Sequence, residues 1–218
     1  KGAQKADRDG FNRRRAVLLT AKAMAQFDTD PNAARAAALE ANRLAPELVP
    51  AALVAARVMF RADEIRKGAK ILEAAWRRAP HPEIADLYVH ARHGDAVHDR
   101  LARAQRLRSL HTNNAESALA VARAALAAQE FGLAREEAQA SIRMDPRESA
   151  YLLLADIDEA DGDTGRVREW LARAVRAPRD PAWVADGIVS EHWAPQSPVT
   201  GQIDAFRWRV PVERLGPA

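Results

Sequence analysis

Six histidines are the side chains in this 218-residue chain best suited to holding a metal or a haem iron. His90 and His93 stand three apart, close enough to share a helix face if both are helical, and His98 and His111 lie further along. No carboxylate–histidine metal motif accompanies them. The pair also straddles the turn His93-Gly94-Asp95, so ordinary surface histidines are the competing reading. The chain has no cysteine, which excludes disulfides and thiolate metal sites, and no metal site is expected. Ser109, Ser117, Ser141, Ser149, Ser190 and Ser197 show no nucleophile elbow. The ten glycines are scattered and form no phosphate-binding loop. Carboxylates are numerous but fall in turns and on helix surfaces, so nothing positive supports an enzyme.

The elements that would position such groups are helical. Hydrophobic residues make up 48% of the chain and aromatics only 6%. Alanine is abundant, and its small side chain favours helices whose axes approach closely. The 33 basic and 30 acidic residues leave a net charge of +3. They interleave along helices, as in Arg135, Glu136 and Glu137, the pattern of solvated faces and not of a nucleic-acid-binding module. No run of about 18 apolar residues occurs, so nothing here is expected to span a bilayer and the fragment is expected to be soluble. The chain starts at Lys1 without methionine and reads as a fragment, with any signal or anchor upstream.

Spacing organises the chain. Ala55, Ala56, Met59, Asp63, Ile65, Gly68, Leu72, Ala75 and Pro80 follow one another by the same steps as Val121, Ala122, Ala125, Gln129, Phe131, Ala134, Ala138, Ser141 and Pro146. Pro46 and Pro80 are 34 residues apart, one period. Residues 1–10 are polar and expected to be frayed. A helical repeat domain of about five helix pairs is predicted over 11–178, with 81–112 degenerate. Leu18, Ala21 and Met24 are predicted as the inner stripe of the first helix, and the last helix is predicted to carry Val167, Trp170, Leu171 and Ala174. Asp30, Asn113 or Asn114, and Asp145 are predicted N-caps. Residues 179–218 hold three of the five tryptophans and five of the twelve prolines. They read as a small irregular or two-stranded appendage that covers the open end of the array.

The repeat resembles the tetratricopeptide (TPR) family. The matching packing positions are Ala56, Gly68 and Ala75, then Ala122, Ala134 and Ser141, then Ala155, Gly162, Val167 and Ala174. The resemblance implies an all-α, TPR-like solenoid of stacked antiparallel helix pairs. The tail is similar to that of HemY-type proteins in Trp183-Val184-Ala185-Asp186-Gly187, in Trp193-Ala194-Pro195-Gln196-Ser197-Pro198-Val199-Thr200-Gly201 and in Asp204-Ala205-Phe206-Arg207-Trp208. That resemblance implies a bacterial inner-membrane protein associated with haem biosynthesis and anchored upstream of this fragment, with the side of the membrane open. The tail also looks similar to small zinc-ribbon tails, with Ala185 and Ser197 near expected cysteine positions, hence a cysteine-less relic stapled by packing.

In TPR arrays the first helix of each pair lines a groove. Carrying those positions over gives Lys22, Arg57, Arg61 and Arg123 beside Leu53, Phe60, Leu119 and Leu126, with Tyr88 and Arg92 joining from the weak repeat. This implies a basic groove with apolar patches, suited to an acidic protein or peptide segment, because guanidinium holds carboxylate bidentately. The same surface suits the propionates and macrocycle of a haem or porphyrin, with His90 and His93 as candidate ligands. A third alternative is that the arginines only pair with neighbouring acids. The expectation is therefore a non-catalytic scaffold with a protein or peptide partner and no nucleic acid. Its rival is a haem or porphyrin carrier, and homo-oligomerisation through solenoid ends stays open.

Overall fold

The computed structural model describes residues 2–212. Ten helices pack in sequence as antiparallel pairs: α1 (Gly2–Gln26) with α2 (Pro31–Leu44), α3 (Val49–Arg61) with α4 (Ile65–Arg78), α5 (Pro82–Val89) with α6 (Val97–Leu110), α7 (Ala115–Ala127) with α8 (Phe131–Met144), and α9 (Glu148–Ala160) with α10 (Thr164–Arg176). Three strands follow, β1 (Ala182–Ala185), β2 (Ile188–Ser190) and β3 (Arg207–Arg209), in one antiparallel sheet of order β2-β1-β3. The chain is thus an all-α, TPR-like solenoid with a small sheet at its C-terminal end.

One turn recurs at three of the pairs. The N–H of Glu64 donates to the carbonyl of Met59 at 2.9 Å, that of Glu130 to Ala125 at 2.9 Å, and that of Asp163 to Asp158 at 2.8 Å. Each follows a left-handed residue, Asp63 (φ 59°), Gln129 (φ 58°) or Gly162 (φ 85°), as in a Schellman cap. The same turn three times sets the same splay between paired helices, which makes the units repeats and not merely hairpins.

Curvature follows from residue size. Ala51, Ala52, Ala55 and Ala56 on α3, and Ala118, Ala122 and Ala125 on α7, are fully buried. The first helices accordingly approach in series, α1 to α3 to α5 to α7 to α9, whereas of the second helices only α4 and α6 bring their backbones as close among the described residues, α6 and α8 meeting through the Arg108–Glu137 ion pair at 3.0 Å. Closer packing in that layer is what gives a stacked array of helix pairs its sense of curvature. Gly68 takes part in this fit. A Cβ there would collide with the Phe60 ring and stand 3.1 Å from the carbonyl oxygen of Ala56.

The irregular third pair is held by specific bonds. Helix α5 has only eight residues. Arg103 donates to the carbonyl of Val89 at 2.9 Å and pairs with Asp95, and Trp76 Nε1 donates to Leu107 O at 2.9 Å. In the last pairs, fully buried Asp158 accepts from Arg135 at 2.7 Å and from Trp170 Nε1 at 2.6 Å, tying α8, α9 and α10 together.

Several expectations are corrected. Helix α1 starts at Gly2, although Gly2 and residues 4–10 are exposed. Its buried stripe is Ala16, Val17, Thr20 and Ala23; Leu18 and Met24 are exposed and Ala21 is half-buried. Leu171 on α10 is exposed as well. Asp30 and Asn114 do cap their helices, at 3.1 Å from Ala33 N and 2.9 Å from Glu116 N. Asp145 does not: it ends α8, its carboxylate takes Arg147, and α9 begins only at Glu148. Helix α9 is capped from the tail, where Asp180 accepts from Ser149 N at 2.9 Å and Pro178 O accepts from Glu148 N at 3.0 Å.

The tail does not close the far end of the array. It runs back along one edge. Trp183 Nε1 donates to Glu83 of α5 at 2.9 Å. Trp183, Ala185, Trp193 and Phe206 share a buried cluster with Ala16, Val17, Ala41, Ala45, Leu48 and Ala51. Arg13 of α1 donates to Asp204 at 3.0 Å, 191 residues away. Ala185 and Ser197 are both buried, and Ser197 Oγ accepts from the N–H groups of Val199 and Thr200 at 3.1 and 3.2 Å.

Replacing Gly68 by alanine should lower stability by about 1–3 kcal/mol, since the Ala56 carbonyl cannot withdraw as the Phe60 ring can. A urea titration of a protein with unchanged helical content checks this.

Candidate groove between α5 and α7

The hydrophobic floor of one concave site comes from α5 and α7. Ala85 and Val89 face Ala120, Ala124 and Ala127 across a furrow of about 320 Å³. Its rim carries Asp86, His90, Arg100 and Arg123. The His90 Nδ1 lies 2.9 Å from Asp86 O and 3.2 Å from Asp86 Oδ1, so that nitrogen is engaged within the helix end. Arg100 brings a buried Nε with no hydrogen-bond partner to this rim.

A second chamber of about 490 Å³ adjoins the first at Pro82 and Arg123. Its walls are the starts of α7 and α9 and the tail, with Glu116, Arg147, Asp180 and Trp208. Arg123 pairs with Glu116 at 3.3 Å. Burial nevertheless pushes the Glu116 carboxyl above the usual carboxylate range, with Arg123 opposing and Asp180 reinforcing the shift. Arg147 is matched by Asp145 at 3.0 Å. This chamber is therefore polar and charge-matched, unlike the alanine-floored furrow.

The residues predicted for the groove do not converge. Leu53, Tyr88 and Leu119 are buried core, although Leu119 also touches the second chamber. Tyr88 O–H donates to Glu73 at 2.7 Å, and its ionisation is pushed up to about 12 by burial and by that carboxylate. Phe60 covers Gly68, and Leu126 is half-buried against the core. Arg61 stacks 4.6 Å over the Phe27 ring and binds the carbonyl of Phe27 and the carboxylate of Asp28. Lys22, Arg57 and Arg92 are exposed, and His93 lies beyond the end of α5, off the helix that would have aligned it with His90. Only Arg123 and His90 border the furrow. Among the described residues no three metal-ligating side chains cluster. The floor residues missed from sequence are alanines, whose spacing looks the same whether they pack or line a surface.

His81 marks where the tail meets the array. It is 2% exposed, with ring centroids 4.1 Å from Trp208 and 5.5 Å from Trp183. Its Nδ1 accepts from Glu83 N at 3.1 Å, which places the proton of the neutral ring on Nε2. That atom has no hydrogen-bond partner, and the Glu83 carboxylate lies 3.7 Å away. Burial lowers the pKa of His81 from 6.5 to about 4.

No family model matches the chain. It is 26% identical over 198 residues to the "Probable magnetosome protein Mms48" of Magnetospirillum gryphiswaldense, covering 89% of this chain and 44% of that protein. The chain thus spans less than half the length of that relative. Among solved structures, MamA protein aligns with a TM-score of 0.46 at 15% identity, over 74% of this chain and 91% of that one. A second MamA structure (AMB-1) gives 0.42 at 15% identity with the same coverage. The architecture rests on the helix pairs themselves.

A histidine depressed on folding favours the fold above its unfolded pKa and loses that contribution as pH falls. His81 should therefore cost about 3 kcal/mol of stability between pH 6.5 and pH 4. Denaturation midpoints followed by tryptophan fluorescence should show this loss, and His81→Asn, which can still cap α5, should flatten it. An unchanged acid limb in the variant would assign the loss to carboxylates instead.

Proposed function

We propose that the chain is a non-catalytic, TPR-like scaffold that holds a segment of a protein or peptide partner in the furrow between α5 and α7. The observation that carries this reading is the furrow itself. Its alanine and valine floor offers apolar burial to an inserted side chain, and its charged rim can orient the partner's backbone and polar groups. Of the rim's cations Arg123 is already matched by Glu116, so Arg100, whose buried Nε has no hydrogen-bond partner, supplies the preference for an acidic segment. The tail's HemY-like residues support an inner-membrane setting beside haem biosynthesis, reached through an anchor upstream. The relative's printed name offers the magnetosome as the competing setting.

The test is affinity capture by the immobilised chain, with two controls. Ala127 is exposed at the furrow, so Ala127→Trp fills it without disturbing the core. Capture of the partner should fall at least about tenfold in that variant, the loss of an anchor contact. The Arg57→Glu/Arg123→Glu double variant should also lose capture, with helicity intact. Equal capture by all three proteins would refute the furrow assignment.

A haem or porphyrin carrier is the second reading, supported by the unpartnered Arg100 Nε beside the apolar floor and by His90 on the same rim. Haemin titration should then shift the Soret band, with the shift lost in His90→Ala and in Arg100→Ala/Arg123→Ala. A flat spectrum at micromolar haemin removes this reading.

A further inference from the structure

Helix α1 is 25 residues long, against 8 to 14 for every other helix. Its buried side is Ala16, Val17, Thr20 and Ala23. On the opposite side, spacings of three and four residues align Arg8, Phe11, Arg15, Leu18 and Lys22, all exposed, with Arg14 adjoining. The stripe alternates cation and apolar group along about 21 Å of helix. Phe11 and Leu18 are 59% and 51% exposed. None of Lys5, Arg8, Arg14, Arg15 and Lys22 forms a close ion pair or hydrogen bond among the described residues, although the Arg15 charge helps Arg43 hold the Glu40 carboxyl below the usual range. Asp7 and Asp9 are the acids of this helix, and neighbouring Glu40 is taken by Arg43 at 2.8 Å.

We infer that this face of α1 lies on an anionic lipid bilayer. A further helix pair is a poor occupant. Where α3 and α7 pack on neighbours they present alanine, leucine and valine, whereas a repeat laid on α1 would bury three unpaired cations. Nucleic acid would satisfy the cations but leave Phe11 and Leu18 without a role. A bilayer surface uses both: the two apolar side chains sink below the headgroups, while arginine and lysine stems lie along them and keep their charges at the phosphates. No helix among the described residues is long and apolar enough to cross a membrane, so α1 would lie along the surface.

The test is co-sedimentation of the whole chain with vesicles of phosphatidylcholine, with and without phosphatidylglycerol. Binding should require phosphatidylglycerol and weaken with salt. Arg14→Glu/Arg15→Glu should reduce partitioning at least about tenfold. Phe11→Ser/Leu18→Ser should also reduce it while preserving the salt dependence. Circular dichroism confirms that each variant stays helical, and Ala127→Trp should bind vesicles as the parent does, which separates this surface from the furrow. No binding to phosphatidylglycerol vesicles, or binding indifferent to Arg14 and Arg15, overturns the inference. So does competition by heparin combined with indifference to Phe11 and Leu18, which would mark a general polyanion site.

Discussion

The close approach that alanine permits between successive first helices is the constraint on which the rest of the structure depends. With little side chain between them, α3, α5, α7 and α9 form a layer tighter than their partners do, and the array must bend towards that layer. The same smoothness makes the furrow. Helix α5 stops after eight residues, so the later part of α7 has no facing turn, and Ala124 and Ala127 are left to line a surface. The bend therefore comes from residues that are present, and the site from a turn of helix that is missing.

Tail docking answers a second requirement, the unpaired N–H groups where first helices begin. Asn114 and His81 cap α7 and α5 from within the array. Helix α9 has Arg147 at this position, which makes no side-chain cap, and it borrows Asp180 and Pro178 O from the tail instead. From there the tail follows the same edge to Glu83 and then to Arg13. Its tryptophans close over His81 on the way, so one bent ribbon is held at its last, third and first pairs by a single segment.

Much of this was legible in the sequence, for identifiable reasons. Pairs with a period of 34 residues were readable because each turn must reach the left-handed region and each contact must be small, constraints that fall on residue types. The face of α1 was misread by roughly one residue because its true stripe is alanine, valine and threonine, less hydrophobic than the exposed Leu18 and Met24. The Asp145 cap had the right local grammar, yet Asp180, 35 residues on, won the position, a competition that no local window contains. The groove suffered most. Four of its ten predicted members were apolar residues equally suited to core, and an aromatic such as Tyr88 goes where its hydroxyl finds Glu73.

Charge accounting explains why the arginines did not assemble into one basic groove. In a solenoid most carbonyls and carboxylates left over by the helices lie at turns, and arginine is long enough to reach them from the next unit. Arg61 binds the α1–α2 turn, Arg103 the end of α5, Arg135 the α9–α10 turn and Arg147 the end of α8 together with the tail. Such guanidiniums are staples, between repeats for Arg61, Arg135 and Arg147 and within the third pair for Arg103, and each takes its acid out of the balance. A net charge of +3 therefore understates local imbalance. Among the described residues, cations that remain unmatched gather on the exposed face of α1, and a partner selected by charge would find its strongest complement there and not inside the bend.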